Sequence, residues 1–311
     1  MLGEHRGTAD DGAEAPRSGL HPADLPLADL PLAERIQLAH ALIEWISAEA
    51  GIDLLHIKGY AADGRLYAPG RASSDVDLLV RPSHTTRLIE ALLARGWEIA
   101  ATFESGSLFH HAMTLWNGQW GHVDIHRAFP GVGLSPDLYF DLLWSARSHK
   151  AIANRQCRVP SFDHQALMIV LHGARDPFRG PDDVRFVRDA VGSEGWARLE
   201  ALAGDVDAQL GLAAATGRLD EWEGHPERGV WDVVSRGGTR VELFGARWRA
   251  CRTARERFAL VRSAVVVNRD HLRMKLLREP TASDYGAELR SRIIEVVRAV
   301  PRRRRARRSR A

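Results

Sequence analysis

Apolar positions along the first half of the chain alternate between two rhythms, and each change of rhythm marks an element. From Leu32 to Ala50 they fall at Ile36, Leu38, Ala39, Leu42, Ile43 and Ile46, the spacing of a helix that Gly51 ends. Leu54 to Gly59 reads as a short strand closing in a glycine turn. The run Val76, Leu78, Leu79 and Val80 predicts a buried strand starting near Ser74. Ser83 then N-caps a helix through Ala94, with Leu88, Ile89, Leu92 and Leu93 inward and Gly96 as its stop. Trp97 to Phe103 and Leu108 to Trp116 read as strands joined through residues 104–107, and Trp120 to Arg127 follows across the hairpin signal Asn117-Gly118. This half is α/β (α+β), a mixed sheet with helices packed on one face.

After Pro136 the pattern turns helical. Helices are expected from Leu138 to Ala146, from an Asp163 cap to Ala174, from Pro181, from Trp196 to Ala203 and from Val206 to Thr216. Val241 to Arg252, Phe258 to Leu277 and Ala287 to Val300 complete a helical C-terminal domain, while Cys157 to Val159 is at most a short strand. The expected division is a disordered leader at 1–30, a catalytic domain at 31–150, a helical domain at 151–300 and a basic disordered tail at 301–311. Beyond about residue 220 no motif is found.

Composition adds limits. A content of 45 % hydrophobic and 27 % charged residues is ordinary for a soluble protein, and no apolar run reaches the length of a membrane span. The N-terminus lacks the apolar core of a signal peptide, and Cys157 and Cys251 have no metal-binding spacing, so a reduced cytoplasmic protein is expected. Seven arginines within residues 302–311 outweigh the chain's net charge of +3, leaving the remainder net acidic. Such a tail is expected to be solvated, with at most weak nucleic-acid contact, because no aromatic residues interleave its charges.

The chemistry concentrates on two strands. Asp75 and Asp77 are two residues apart, so their carboxylates leave the same strand face roughly 6–7 Å apart along its axis. Two like charges resist being placed and desolvated together unless a cation lies between them, and oxygen ligands suit Mg²⁺ or Mn²⁺. Trp120 to His126 alternates strictly, with Val123 and Ile125 on one face and His122, Asp124 and His126 on the other. Gly59 allows close approach of the backbone to a ligand, and N–H groups at the following helix start suit a phosphate. Lys58, Lys150 and Lys275 are the lysines of an arginine-rich chain. A lysine directly before Gly59 signals a need for a compact ammonium, or simply chance.

Lys58-Gly59, Tyr67-Ala68-Pro69, Arg71, Asp75-Val76-Asp77-Leu78-Leu79-Val80, Val123-Asp124-Ile125-His126 and Leu171-His172-Gly173-Ala174 occur in the order found in nucleotidyltransferases of the DNA polymerase β superfamily. Over about residues 35–215 the chain resembles the bacterial branch called uncharacterised nucleotidyltransferases. The resemblance implies a metal-dependent enzyme moving a nucleoside monophosphate from a triphosphate such as ATP to an acceptor hydroxyl, with release of pyrophosphate. It implies that Asp75, Asp77 and Asp124 are catalytic and hold the metal, with Asp124 on the ion that activates the acceptor. Lys58, Gly59, Arg71, Ser73 and Ser74 are the implied nucleotide-binding residues. Tyr60 stands where the superfamily commonly has a second small residue, so the hydroxyl contact to phosphate comes from Ser73 or Ser74, or is absent. The acceptor is open: a protein, a peptide, a small molecule or RNA.

Several assignments have alternatives. Arg71 reaches a triphosphate oxygen or makes a structural salt bridge to one of the aspartates. His122 and His126 are expected to hydrogen-bond ligands or line the acceptor pocket rather than bind the ion. His172 is a core histidine or a site residue. If Asp75 and Asp77 mainly repel each other, Asp77→Asn leaves the metal-free protein as stable as before, or more so. Two other functions fit the sequence, a non-catalytic nucleotide- or partner-binding module favoured by Tyr60 and an RNA-associated protein using the arginine tail.

Overall fold

The computed structural model describes residues 29–103, 109, 111–265, 272, 276, 280–291 and 294. Residues 1–28 of the leader, the tail, residues 104–108, His110 and parts of the two last expected helices lie outside the described residues. Five strands form one mixed sheet in the order β1-β2-β5-β4-β3: β1 (Leu54–Ile57), β2 (Asp75–Val80), β3 (Glu98–Ala101), β4 (Ala112–Asn117) and β5 (Gly121–His126). All neighbours are antiparallel except β2 and β5, whose parallel register sets Asp75 opposite His122, Asp77 opposite Asp124 and Leu79 opposite His126.

Helix α1 (Leu32–Glu49) buries Ile36, Ala39, Ile43 and Ile46 against Leu54, Val76, Leu78, Val80, Val123 and Ile125. Helix α2 (Thr85–Leu93) adds Leu88 and Leu92 to that core. The opposite face is covered too. Leu55, Ile57 and Leu79 pack with α3 (Pro136–Ser145), α4 (Phe162–Gly173), α5 (Gly180–Asp205) and α6 (Gln209–Ala215). Helices therefore lie on both faces rather than one. The signal was the unbroken apolar run Leu78-Leu79-Val80 in a strand buried on both sides. The second core joins residues on either side of position 150.

Other differences are local. Ser83 lies in a 3-10 turn, Pro82–His84, and His84 rather than Ser83 precedes α2. Ser161, not Asp163, occupies the cap position of α4, and Asp163 instead meets Arg198 at 3.2 Å. Gly192, at φ 66°, breaks α5 into segments 180–191 and 193–205, which absorbs two expected helices. A hairpin of β6 (Ser148–Ile152) and β7 (Arg155–Val159) turns through Ala153 and Asn154, both at positive φ. Ile152, Cys157 and Val159 of this hairpin form a small core with Ala61, and side-chain bonds fix its position. Arg158 reaches Glu44 at 2.7 Å, the Ser47 hydroxyl at 2.6 Å and the Ile52 carbonyl at 3.3 Å. Helices α7 (Arg228–Ser235), α8 (Arg240–Ala250) and α9 (Ala254–Val265) follow, α7 being unexpected from sequence. Among the described residues no helix is long and apolar enough to cross a membrane.

Candidate active site

The site forms on the sheet face that carries alternate residues of β2 and β5. Val76 and Leu78 need the α1 core, which turns Asp75 and Asp77 to the other side, and Val123 and Ile125 do the same for Asp124. Asp77 is buried, while Asp75 and Asp124 are half-buried. Ligand atoms of Asp77, Asp124 and His126 all lie within 4.8 Å of one another. Asp75 is outside that group and is held by Ser73, whose Oγ donates to its backbone oxygen at 3.0 Å and approaches Oδ1 at 3.3 Å.

Asp77 is the anchored member. Its Oδ1 receives Lys58 Nζ at 2.7 Å and lies 2.8 Å from His126 Nε2. Burial pushes its carboxyl up, but the Lys58 charge and the His126 hydrogen bond outweigh it and hold the group well below the usual carboxylate range. The repulsion from Asp75 does not dominate, because Lys58 neutralises Asp77 locally and His126 hydrogen-bonds it. The remaining carboxylates behave oppositely. Burial first, then the Asp77 charge, pushes Asp124 up to about 7, against a 2.6 Å bond from Thr114 Oγ1. Asp75 is raised by the same two causes, with Lys58 partly offsetting them.

The glycine turn is built tightly. Lys58 adopts φ 55° and its carbonyl accepts from Ala61 N at 2.9 Å, closing a 3-10 turn, Gly59–Ala61. Such a conformation costs a non-glycine residue about 1–3 kcal/mol and persists only where the surroundings enforce it. Gly59 follows at φ 46°, where a Cβ would stand 2.5 Å from Ser73 Oγ and 2.9 Å from Ser73 Cβ. Gly59→Ala is therefore expected to lose about 1–3 kcal/mol more than Gly70→Ala, because it adds a steric clash. Gly70 also has positive φ, at 79°, but a Cβ there meets nothing within 4 Å. Equal losses in urea unfolding would show that the Gly59–Ser73 packing does not constrain the turn.

Other expected residues separate. Arg71 pairs with Asp183 of α5 at 2.9 Å and lies 5.1 Å from the Tyr67 ring, so its salt bridge is structural but not to Asp75 or Asp77. Ser74 and His122 are exposed. Tyr60 packs against the α1 core, which accounts for a large residue beside Gly59.

One contribution comes from outside the expected set. Arg175, just beyond α4, brings Nη1 to 3.4 Å from His111 Nε2 and its guanidinium to 5.6 Å from the Phe129 ring. Its Nη2 is buried with no hydrogen-bond partner among the described residues. Burial lowers Arg175 to about 10, while the Asp77 charge pulls it upward. His172, on α4, is driven down to about 3 by burial and then by the charges of Lys58 and Arg175. It is thus a neutral, half-buried residue at the site edge. The sequence signal was the step from an apolar helix to a cation at Leu171-His172-Gly173-Ala174-Arg175.

The face is electrostatically incomplete in two ways. Burial and then the Asp77 charge raise Asp75 and Asp124, while Lys58 and the more distant Arg175 both feel the charge of Asp77, which Lys58 and His126 already pair. A divalent cation suits the first deficit, since carboxylate oxygens favour Mg²⁺ or Mn²⁺, and a polyanion suits the second.

The chain matches the profile of a family described as uncharacterised nucleotidyltransferase over residues 33–224. No curated protein matches it. Among solved structures it is similar to the lincosamide antibiotic adenylyltransferase LnuA, with 18 % identity, 50 % of this chain and 96 % of that one covered, and a TM-score of 0.34. An antigenic nucleotidyltransferase-like protein from Paracoccidioides brasiliensis gives 18 % identity, coverage of 60 % and 95 %, and a TM-score of 0.37. The antibiotic-resistance factor ANT(2'')-Ia gives 15 %, coverage of 62 % and 96 %, and 0.39. With paired aspartates on one strand, a third on its parallel neighbour and a glycine turn before them, all inside the matched span, the chain belongs to the uncharacterised nucleotidyltransferase family and is an enzyme of that kind.

Proposed function

We propose that the protein transfers a nucleoside monophosphate from a nucleoside triphosphate, ATP among the candidates, to an acceptor hydroxyl. The observation that carries this reading is the double deficit around Asp77: carboxylates short of a cation on one side, cations short of an anion on the other. A metal–triphosphate complex corrects both. Asp75, Asp77 and Asp124 would hold Mg²⁺ or Mn²⁺, with His126 fixing the orientation of Asp77. The ion, when bound, supplies charge neutralisation at the phosphates and a more acidic acceptor hydroxyl. Lys58, the Gly59 turn, Ser73 and Arg175 would position the triphosphate. In the transfer, the acceptor oxygen bonds to the α-phosphorus and the bridging bond to the β-phosphate breaks. Pyrophosphate leaves with the bond's electron pair, and the hydroxyl proton passes to water.

The test is incubation with each ribonucleoside triphosphate radiolabelled at the α-phosphate, Mn²⁺ and a host lysate, read as transferred label and released pyrophosphate. Calorimetry of triphosphate binding runs in parallel. Binding that depends on Mn²⁺ is expected, and Arg175→Gln weakens it by about tenfold or more because a charge-assisted contact is lost, while Arg175→Lys recovers part of it. Absence of both binding and transfer would sink the reading. Unchanged affinity in Arg175→Gln would remove Arg175 from the triphosphate site.

A further inference from the structure

Charge is divided unevenly along the chain. Residues 236–311 carry more than half of the 43 lysines and arginines but only seven of the 40 aspartates and glutamates, so this end is strongly basic while residues 1–235 are net acidic. A polyanion is attracted to the first part and repelled by the second. In the structure the basic end opens with α8 and α9, joined through Cys251 to Thr253. Arg249, Arg252, Arg255, Arg257 and Arg262 are exposed there, and none of these guanidiniums has an ion pair or hydrogen bond among the described residues. Glu256, the acid in their midst, is engaged elsewhere: its carboxylate accepts the backbone N–H groups of Arg252 at 2.7 Å and Thr253 at 3.3 Å.

Aromatic rings stand among these charges. Phe258 is 72 % exposed and Trp248 39 %. Arg255, Phe258 and Arg262 fall at i, i+3 and i+7 of α9 and share one face. On α8 the Trp248 ring stacks on Phe244, 6.2 Å between centroids, and Arg257 of α9 lies 5.5 Å from that indole. The two helices therefore present one surface on which rings and guanidiniums interleave. Single-stranded nucleic acids need that combination, since bases stack on ring faces while phosphates pair with cations. A helix lying on a bilayer instead separates its apolar residues and its charges onto opposite faces. The rings that residues 302–311 lack are supplied by helices earlier in the same basic end.

We propose that α8 and α9 form a docking surface for single-stranded RNA, with Phe258 and Trp248 stacking bases and Arg255, Arg257 and Arg262 contacting phosphates. The arginines of residues 302–311 add sequence-independent attraction. RNA is the partner because cellular DNA is mostly paired, and paired bases offer no free face to a ring. None of these residues belongs to the Asp77 site, so the proposal stands whether or not the protein transfers nucleotides.

The test is fluorescence anisotropy of the full chain with a labelled oligouridylate of about 20 nucleotides, repeated over a series of salt concentrations. Phe258→Ser is expected to weaken binding by about fivefold or more and to leave the slope of log K against log salt unchanged, since stacking releases no counterions. Phe258→Tyr keeps a ring and should bind like the parent. Arg255→Gln combined with Arg262→Gln should reduce the slope by about 1.4, from about 0.7 for each phosphate contact on a single strand. All three positions are exposed, so the fold tolerates the exchanges, and a thermal melt checks it. On an RNA duplex of the same length Phe258→Ser should lose nothing. Full affinity and slope in both the serine and the double-glutamine variants would confine the contact to residues 302–311 and overturn the proposal. An equal loss on duplex and single strand would overturn it as well. So would binding to phosphatidylserine vesicles without binding to the RNA, which would assign the surface to an anionic membrane.

Discussion

Asp124→Asn is expected to melt higher than the parent near pH 8 and to turn over at least about 100-fold more slowly. Burial and the nearby Asp77 charge push the Asp124 carboxyl up to about 7. The unfolded value is about 3.9, so the folded state binds this proton more strongly than the unfolded chain does. The contribution of Asp124 to stability is thus complete below about pH 4 and is lost as pH rises through about 7. A displacement of that size converts to about 4 kcal/mol and, discounted for a half-buried position, to about 1–3 kcal/mol. Asparagine carries no charge to desolvate and keeps the oxygen that accepts from Thr114 Oγ1. Urea unfolding from about pH 4 to about pH 8 should show the parent losing stability relative to the variant across that window. Turnover falls because the amide cannot replace the carboxylate that completes the ion site. A variant that is stabilised yet fully active would place Asp124 outside the catalytic centre. One that is destabilised near pH 8 would show that its charge is already compensated.

Asp77→Asn should have the opposite effect on stability and the same effect on activity. Lys58 Nζ sits 2.7 Å from Asp77 Oδ1, and the two side chains are only 10 % and 9 % exposed. Removing the carboxylate leaves a largely buried ammonium without its partner, a loss of about 3–5 kcal/mol. The sign follows from the titration as well. The Asp77 carboxyl is held below its unfolded value, so its contribution is present above about pH 4 and disappears as pH falls through the folded value. Neutral His126 can still donate Nε2–H to the asparagine oxygen, so the loss reports on Lys58. Lys58→Met in the Asp77→Asn background should recover most of the stability and none of the turnover. If Asp77→Asn alone is as stable as the parent, the Lys58 pair is not what holds Asp77, and the like-charge expectation from sequence stands.

The two aspartates would be indistinguishable by residue type, and their different behaviour shows where the sequence stops being informative. Alternation decided that Asp75, Asp77 and Asp124 lie on polar faces of strands, because Val76, Leu78, Val123 and Ile125 have to be buried. Gly59 was legible as a turn because few other residues tolerate its conformation. A strand's own pattern does not encode which strand lies beside it, and the parallel pairing that sets Asp77 against Asp124 is a tertiary outcome. Arg71 shows the same limit from the other side. Its neighbours in sequence suggest an aspartate of β2, yet Asp183 of α5 lies closer in space.

The sequence by itself determined the mixed α/β class, the strand positions of Asp75, Asp77 and Asp124 and the glycine turn, since each follows from local periodicity or backbone freedom, while the order of its motifs carried the resemblance to the family. Tertiary structure alone decided that Lys58 and His126 pair with Asp77, that burial and the Asp77 charge raise Asp124, and that Arg175 arrives from the helical half. It also placed the β6–β7 hairpin and brought Arg257 of α9 beside Trp248 of α8. The physical reason is the range of the interactions. Burial of a face repeats every two or three to four residues and is written into the chain, whereas charge pairing and contacts between elements depend on atoms that only folding brings within a few ångströms.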